Sequence, residues 1–468
     1  MTQTVEMPLW LFVLIVLFAA VTFASHFLFP SVRWFFRRRL ERAVARLNLR
    51  LERPIQPFKL ARRHDMIQRL IYDPAVGQAI ADHARAEGIP ENVAFQQAGR
   101  YAREIVPSFS AFAYFGFAIR FARFLSNSVY RVRLGHMDEA ALRAIDPDAT
   151  VVFVMNHRSN MDYVLVTYLA ADRSALSYAV GEWARVWPLS RLIRAMGAYF
   201  IRRKSRNELY RRVLASYVRL ATAAGVTQAM FPEGGLSLSG GLMPPKLGLL
   251  KYIVEGFDPN GRDVVFVPVA LNYDRVLEDT ILIAAAAGTG RRFNARIGLI
   301  ARQMLRQVWL RLRGRYRRFG YAAVGFGRPL SLRDYRDVNP SPAALAEVLM
   351  QRIGEVVPIL PVPLVAWLLL RHGPMTRTGL AAAIAAVALD IPGVHVHVPH
   401  HDPGHAAMVG LRGLICRKAV QLENGHYVPQ DQGRSLLEFY ANSIRHLMPD
   451  TGTDVSADAK QNSATAGS

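Results

Sequence analysis

The sequence predicts an α/β fold with a largely parallel, buried sheet, and three observations lead there. Between Thr150 and about Gly327, short runs rich in Val, Ile and Phe alternate with longer helical stretches, the pattern of strands joined by crossover helices. The runs are apolar enough to lie between two helical layers. Chemistry-bearing residues, His157, Arg202 and Glu233, follow three of the runs immediately, where the sites of open α/β sheets collect.

The strands are expected at Val151–Met155, Leu176–Val180, Ala198–Ile201, Thr227–Phe231, Val264–Leu271 and Tyr321–Phe326. Helices fit Asn160–Ala171, Glu182–Met196, Asn207–Ala224 and Pro245–Gly256. Ser159 or Asn160 caps the first of these, which places His157 at the carboxyl end of a strand and Asp162 in the first turn of the helix after it.

Around this region the chain divides into an anchor at 1–30, a helical N-terminal region at 31–135, the α/β domain at 136–340, a C-terminal helical region at 341–449 and a disordered tail at 450–468. Pro8 to Phe29 is apolar except for small hydroxyls and His26, long enough to cross a hydrocarbon core of about 30 Å. Glu6 precedes the run, and Arg33, Arg37, Arg38, Arg39, Arg42 and Arg46 follow it. That distribution predicts a retained single-pass anchor in the cell's inner membrane, with the catalytic domain on the cytoplasmic side.

Between Leu51 and Gly135 the pattern is helical and punctuated by prolines. The aromatic stretch Phe109 to Phe124 is expected to pack on the core, with a membrane-facing surface or an acyl-chain groove as the alternative. The arginine-dense run from Ala301 to Phe319 reads equally well as a lipid-contacting helix or a solvated basic face. Val357 to Leu370 is too short and proline-rich for a second span.

With 468 residues, 51% of them hydrophobic, the chain can bury a large core. Its net charge of +22, mostly arginine, favours an anionic partner such as membrane lipid, a phosphorylated substrate or nucleic acid. Cys416 is the single cysteine, so disulfide stapling within the chain is excluded and a cysteine-based zinc site is disfavoured. His395, His397, His400, His401, Asp402 and His405 cluster in what reads as a proline-flanked loop, and no metal site is expected there.

His157 and Asp162 stand five residues apart across a turn, which suits an imidazole base and the carboxylate that orients it. The spacing alone is weak, because His397 and Asp402 repeat it. Context raises the first pair. Four blocks follow one another: Asn156-His157-Arg158-Ser159-Asn160-Met161-Asp162-Tyr163; Gly197-Ala198-Tyr199-Phe200-Ile201-Arg202-Arg203; Phe231-Pro232-Glu233-Gly234-Gly235-Leu236-Ser237 with Met243-Pro244-Pro245-Lys246; and Val267-Pro268-Val269-Ala270-Leu271-Asn272-Tyr273. Arg202, Arg203 and Lys246 suit a phosphate, and Gly234 and Gly235 allow backbone to approach a ligand closely.

In order, spacing and content these blocks resemble the bacterial glycerol-3-phosphate acyltransferase family, within the wider glycerolipid acyltransferases. The resemblance covers Phe153 to Tyr273 and extends loosely to Leu436–Ile444. It implies a glycerolipid-acyltransferase-like α/β domain and His157 and Asp162 as catalytic residues. It also implies acceptor binding at Arg202, Glu233, Gly234 and Ser237. The donor would be acyl-CoA or acyl-carrier protein, with no metal or other cofactor. One departure bears on the acceptor: family members usually carry arginines in the third block, where Leu236, Leu238 and Gly241 stand here. A lysophosphatidate acceptor is therefore the alternative to glycerol-3-phosphate. A membrane-tethered basic protein that binds lipid or nucleic acid without catalysis is the non-enzymatic alternative. No nucleic-acid motif supports it, and no nucleic-acid partner is expected.

Overall fold

The computed structural model describes residues 8–169, 174–181, 189–202, 207–288, 318–338, 341–391 and 395–448, with backbone alone at 20–37, 40, 189, 337 and 338. The chain forms two units, Met1–Ile55 with Asp172–Ser174, and Gln56–Ala171 with Ala175–Ser468.

The first unit is built on one helix, Leu9–Asn48. Its C-terminal end is tied off by Asn48, whose side chain accepts from the Ile55 N–H at 2.9 Å. The expected membrane anchor falls within this helix, and from residue 20 onward it lies where the side chains are outside the described residues. Among the described residues no helix is long and apolar enough to cross a membrane. The first turns of the helix expose large apolar side chains, among them Leu9, Trp10, Phe12, Leu14 and Phe18.

The second unit is organised by a mixed sheet of eight described strands: β1 (Arg131–Met137), β2 (Thr150–Met155), β3 (Ser177–Val180), β4 (Tyr199–Phe200), β5 (Gln228–Met230), β6 (Val264–Tyr273), β7 (Tyr321–Phe326) and β8 (Leu330–Ser331). The order is β1-β7-β6-β2-β5-β3-β4, with β8 paired to β6. From β6 through β4 all neighbours run parallel. β7 lies antiparallel to β6, and β1 parallel to β7.

Strand periodicity explains the layers. Along β2, Val151, Phe153 and Met155 pack into one apolar cluster, while Val152 and Val154 pack into the other. β6 divides likewise, with Val267, Val269, Leu271 and Tyr273 on one side and Val264, Phe266 and Ala270 on the other. Helices Pro74–Glu87, Glu91–Ile105, Glu208–Ala223, Gly248–Glu255 and Pro342–Glu355 cover the second face. Helices Met161–Leu169, Pro361–His372, Pro403–Ile415 and Arg434–Ala441 cover the first. A sheet covered on both faces is the α/β arrangement the sequence predicts.

Differences lie at the margins. β1 was expected to be helical; it is a half-exposed strand carrying Arg131 and Arg133. The C-terminal region is helical except for a hairpin of β9 (Val420–Glu423) and β10 (His426–Pro429). Val357–Leu370 contributes a buried helix, Pro361–His372. The Phe109–Phe124 stretch is divided between two environments. Tyr114, Ala118 and Ala122 are buried as expected, but Phe112, Phe117, Phe121 and Phe124 are exposed. The arginine run at 302–317 and the tail beyond residue 448 lie outside the described residues.

Candidate active site

The parallel strands β2, β5, β3 and β4 end on one edge of the sheet, and the polar loops that follow them build the site. After β2 the chain turns through Asn156-His157-Arg158-Ser159 into helix Met161–Leu169. Asn156 fixes the start of that turn. Its side chain donates to the Leu271 carbonyl at 3.0 Å and accepts the Leu271 N–H at 2.7 Å, so it does for β6 what a backbone residue would.

Asp162, in the first helical turn, is fully buried. Its Oδ2 accepts from His157 Nδ1 at 2.8 Å and from the N–H groups of Arg158 and Ser159 at 2.7 and 3.0 Å. Its Oδ1 accepts from the Tyr273 hydroxyl at 2.6 Å. Four donors thus converge on one carboxylate, in the first turn of a helix. Because Nδ1 is committed to Asp162, the proton-accepting nitrogen of a neutral His157 is Nε2. Nε2 has no hydrogen-bond partner among the described residues and keeps a little contact with solvent, although His157 is only 2% exposed. The ring is held flat against Phe231, centroids 4.1 Å apart, and edge-on to Tyr163.

Two further carboxylates clamp the turn. Glu233, three residues after β5, accepts the His157 N–H at 3.0 Å and the Met243 N–H at 3.2 Å. Burial pushes its carboxyl up to about 7. Glu278, beyond β6, accepts from Ser159 Oγ at 2.8 Å and from the Asn160 side chain at 3.0 Å. Burial raises its carboxyl too, and those hydrogen bonds pull it back. Between the clamps lies Arg158, buried, with Nε and Nη2 lacking partners among the described residues and its guanidinium over the Phe439 ring. Burial pushes it below its usual range, while Glu233 and Asp162 work in the opposite direction.

The remaining residues singled out from sequence fall into place unequally. Ser237 donates its N–H to the His157 carbonyl at 3.0 Å, and its hydroxyl donates to the Gly241 carbonyl at 2.6 Å. Gly234 has φ +69°, and a Cβ there would come within 2.8 Å of Lys246 Cδ, so the lysine stem lies directly on the glycine. Lys246 is anchored through its N–H to the Pro232 carbonyl at 2.8 Å, and its ammonium has no ion-pair partner among the described residues. Arg202 follows β4, three strand spacings or about 14 Å across the sheet from β2. It does not stand free: its guanidinium forms a two-point pair with Glu104, at 2.8 and 2.7 Å, between the rings of Tyr101 and Tyr210. Arg203 lies outside the described residues.

Sequence reasoning missed Tyr273 and Glu278 as partners of the turn, and Arg158 as a buried charge. Tyr273 stood within the fourth block, so a signal existed; nothing local marks Glu278. The C-terminal region closes the site from above. Asn442 donates to the Ser239 carbonyl at 3.0 Å, the Tyr440 hydroxyl donates to Asp279 at 2.6 Å, and Asn272 donates to Ser443 Oγ at 3.3 Å. At Gly240, with φ +84°, a Cβ would sit 1.9 Å from the Phe439 carbonyl oxygen, so only glycine admits the helix there. Among the described residues no group of three or more His, Cys, Asp or Glu is arranged to hold a metal ion. In the histidine cluster, His397 instead packs on the Tyr321 ring, and burial pushes it down to about 4.

Comparison with known proteins agrees with this architecture. Residues 137–272 match the Acyltransferase family, and residues 305–452 match the glycerol-3-phosphate acyltransferase C-terminal region. A glycerol-3-phosphate acyltransferase of Pseudomonas putida is 27% identical over 419 residues, covering 83% of this chain and 49% of that protein. One from Aeromonas hydrophila is 30% identical over 422 residues, covering 83% and 50%. The chain thus spans about half the length of the curated relatives it matches. The crystal structure of the 1-acyl-sn-glycerophosphate (LPA) acyltransferase PlsC from Thermotoga maritima aligns with 56% of this chain and 82% of its own. Its identity is 18% and its TM-score 0.32, a likeness too slight to bear on the fold.

Proposed function

From a chain that resembles the bacterial glycerol-3-phosphate acyltransferases and joins an acyltransferase domain to their C-terminal region, we propose that it moves a fatty acyl group from a thioester to a hydroxyl of glycerol-3-phosphate. The observation that carries this reading is the His157–Asp162 pair, closed at 2.8 Å through Nδ1 with Nε2 left unpartnered among the described residues. The acceptor hydroxyl gives its proton to Nε2 as its oxygen attacks the thioester carbonyl. The new C–O bond forms, the C–S bond breaks, and the proton returns from Nε2 to the departing thiolate. Asp162 keeps the proton of the resting ring on Nδ1 and stabilises the imidazolium between the two steps. The thioester is already activated, so no enzyme nucleophile is required. The donor is acyl-CoA or acyl-carrier protein.

For the acceptor's phosphate, Lys246 offers a cation beside Gly234, close to the Glu233 clamp. Arg202 serves only by sharing its charge with Glu104. That pairing, with Leu236 and Leu238 in the third block, favours lysophosphatidate as the second reading, since its acyl chain adds apolar contact where charge is reduced.

We place the protein against the cytoplasmic face of the cell membrane. The outward-facing side chains of Leu9–Phe18 and the exposed Phe112, Phe117, Phe121 and Phe124 support contact with lipid, and a net charge of +22 supports attraction to anionic headgroups.

The test is acyl transfer by the purified chain from a labelled acyl thioester, with glycerol-3-phosphate and lysophosphatidate offered separately and His157→Ala as control. Transfer to glycerol-3-phosphate that disappears in the variant is the expected result. Transfer to lysophosphatidate alone would move the acceptor and keep the mechanism. Activity that survives in His157→Ala would remove the general base from the proposal.

A further inference from the structure

A concave feature opens on the same edge of the sheet as the candidate active site, on the opposite side of β2 from Arg202. It is a cavity of about 630 Å³ into which five arginines converge: Arg131, Arg275, Arg318, Arg412 and Arg417. They come from separate stretches of chain: the start of β1, the residues just past β6, the approach to β7, and helix Pro403–Ile415 with its exit turn. β1 runs parallel to β7, and β7 antiparallel to β6, so the beginnings of β1 and β7 and the end of β6 meet on one edge. Arg131 is then three strand spacings, about 14 Å, from β2.

The positive charge in the cavity is compensated only in part from within, Asp274 acting on Arg131 and Asp279 on Arg275 and Arg417. Arg417 is paired with Asp279, at 2.5 and 2.9 Å. Arg131, Arg275, Arg318 and Arg412 have no carboxylate at ion-pair distance among the described residues. The cavity's own acid, Asp274, accepts the N–H groups of Val362 and Tyr321, and burial pushes its carboxyl up to about 7. Phe319 lines one side, with the Arg275 guanidinium over its ring at 4.1 Å, and Val362, Leu414 and Leu436 line the cavity as well. Convergent guanidiniums beside an aromatic ring and aliphatic side chains suit a ligand with several phosphates and a planar ring. The volume lies within the usual range for a cofactor-sized ligand.

The cavity is also joined to the candidate active site residue by residue. Tyr273 holds Asp162, and the next two residues, Asp274 and Arg275, line the cavity. Glu278 clamps Ser159 and Asn160, and the next residue, Asp279, carries Arg417 and Tyr440.

We propose that this five-arginine cavity binds the nucleotide end of the acyl donor, the 3′-phosphate and diphosphate of an acyl-CoA, while the thioester reaches across to His157. The inference rests on the acyl-transfer reading for the identity of its ligand. It divides the sheet edge into a donor side at β6, β7 and β1 and an acceptor side at β5, β3 and β4.

The test is equilibrium binding of CoA and of dephospho-CoA to the full-length His157→Ala chain, which binds without turning over, with and without Arg131→Ala and Arg412→Ala together. Both arginines are exposed, and thermal melting verifies the fold. The arginine variant is expected to bind CoA about tenfold more weakly or worse. Arg131→Lys with Arg412→Lys should recover most of that loss. Removal of the 3′-phosphate should weaken binding to the arginine-intact chain and matter little to the alanine variant. In the chain with His157 restored, KM for acyl-CoA should rise by a similar factor, with KM for the acceptor unchanged. Equal CoA affinity in all variants would overturn the proposal. So would displacement of CoA by glycerol-3-phosphate, or a KM rise confined to acyl-carrier protein. Because binding is read without turnover, arginine-dependent CoA binding with no acyl transfer would sink the catalytic reading alone. Acyl transfer with arginine-independent donor KM would sink this one alone.

Discussion

Replacing Asp162 by asparagine separates charge from geometry at the candidate base. The carboxylate accepts four hydrogen bonds, three on Oδ2 from His157 Nδ1, Arg158 N and Ser159 N, and one on Oδ1 from Tyr273. An asparagine amide satisfies the same neighbours if its oxygen takes the place of Oδ2 and its NH2 turns toward the Tyr273 oxygen. His157 then keeps its Nδ1 proton, and what disappears is the negative charge beside an imidazolium. A hydrogen bond to a charged group contributes about 1.5–3 kcal/mol. Two unit charges about 4 Å apart attract by about 4 kcal/mol at an effective dielectric of about 20. At about 1.4 kcal/mol per decade, the loss of roughly 1.5–4 kcal/mol lowers kcat by about one to three decades. Removal of the base in His157→Ala costs about two to four decades. Steady-state acyl transfer measured on wild type, Asp162→Asn and His157→Ala, each checked by thermal melting, reads the difference. An Asp162→Asn rate within twofold of wild type would refute the imidazolium argument. A rate as low as that of His157→Ala, with the fold intact, would show that the amide presents its NH2 to Nδ1 and imposes the wrong tautomer.

Three further outcomes are expected. Tyr273→Phe withdraws one donor from Asp162 Oδ1 and should lower kcat about three- to tenfold, the kinetic equivalent of one ordinary hydrogen bond, with acceptor KM unchanged. Glu233 passes from an ordinary 4.5 in the unfolded chain to about 7 when buried, so the fold favours its neutral form. That preference is fully present below about pH 4.5 and is lost as pH rises through 7; a rise of about 2.5 at about 1.4 kcal/mol each makes it about 3.5 kcal/mol. Urea melts at pH 4.5 and 8 should show wild type losing about that much relative to Glu233→Gln, and a pH-independent difference would contradict the burial argument. Gly240→Ala drives a methyl into the Phe439 carbonyl and adds positive-φ strain, and should cost well over 2 kcal/mol by thermal melting. Gly425→Ala, with φ +80° and open space around the site, should cost only about 1–2 kcal/mol.

The parts of the fold legible in the sequence are those whose physics is local. β2 reads directly because Val151 to Met155 is buried on both faces, and β7 because Tyr321–Phe326 is bounded by glycines. His157 and Asp162 could be paired because a strand end and a first helical turn bring residues five apart together. The Tyr273–Asp162 and Glu278–Ser159 contacts span more than a hundred residues, and no spacing rule reaches them. β1 was missed for another reason: a half-exposed strand with arginines at alternate positions lacks the apolar alternation that marks a strand. The hairpin of β9 and β10 did carry a signal. Asn424-Gly425, both at positive φ, is a strong two-residue turn sequence, and the helical pattern around it masked it. Arg202 shows the limit at the site. Its position at a strand end was legible, but Glu104, ninety-eight residues away, changes what its charge is available to do.

The Phe439 carbonyl set against Gly240, with Asn442, Tyr440 and Ser443 bound to residues up to two hundred positions earlier, bears on the protein's birth at the ribosome. Translation delivers His157 and Asp162 long before residues 439–443 clear the exit tunnel, so the nascent chain carries the reacting pair in an unfinished enclosure. The enclosure around the pair is complete only once that late segment docks. A product truncated after β7 would lack the segment and leave the apolar face it covers open to chaperones and proteases. Assembly of the candidate site thereby waits on synthesis of residues 439–443, a dependence set by packing.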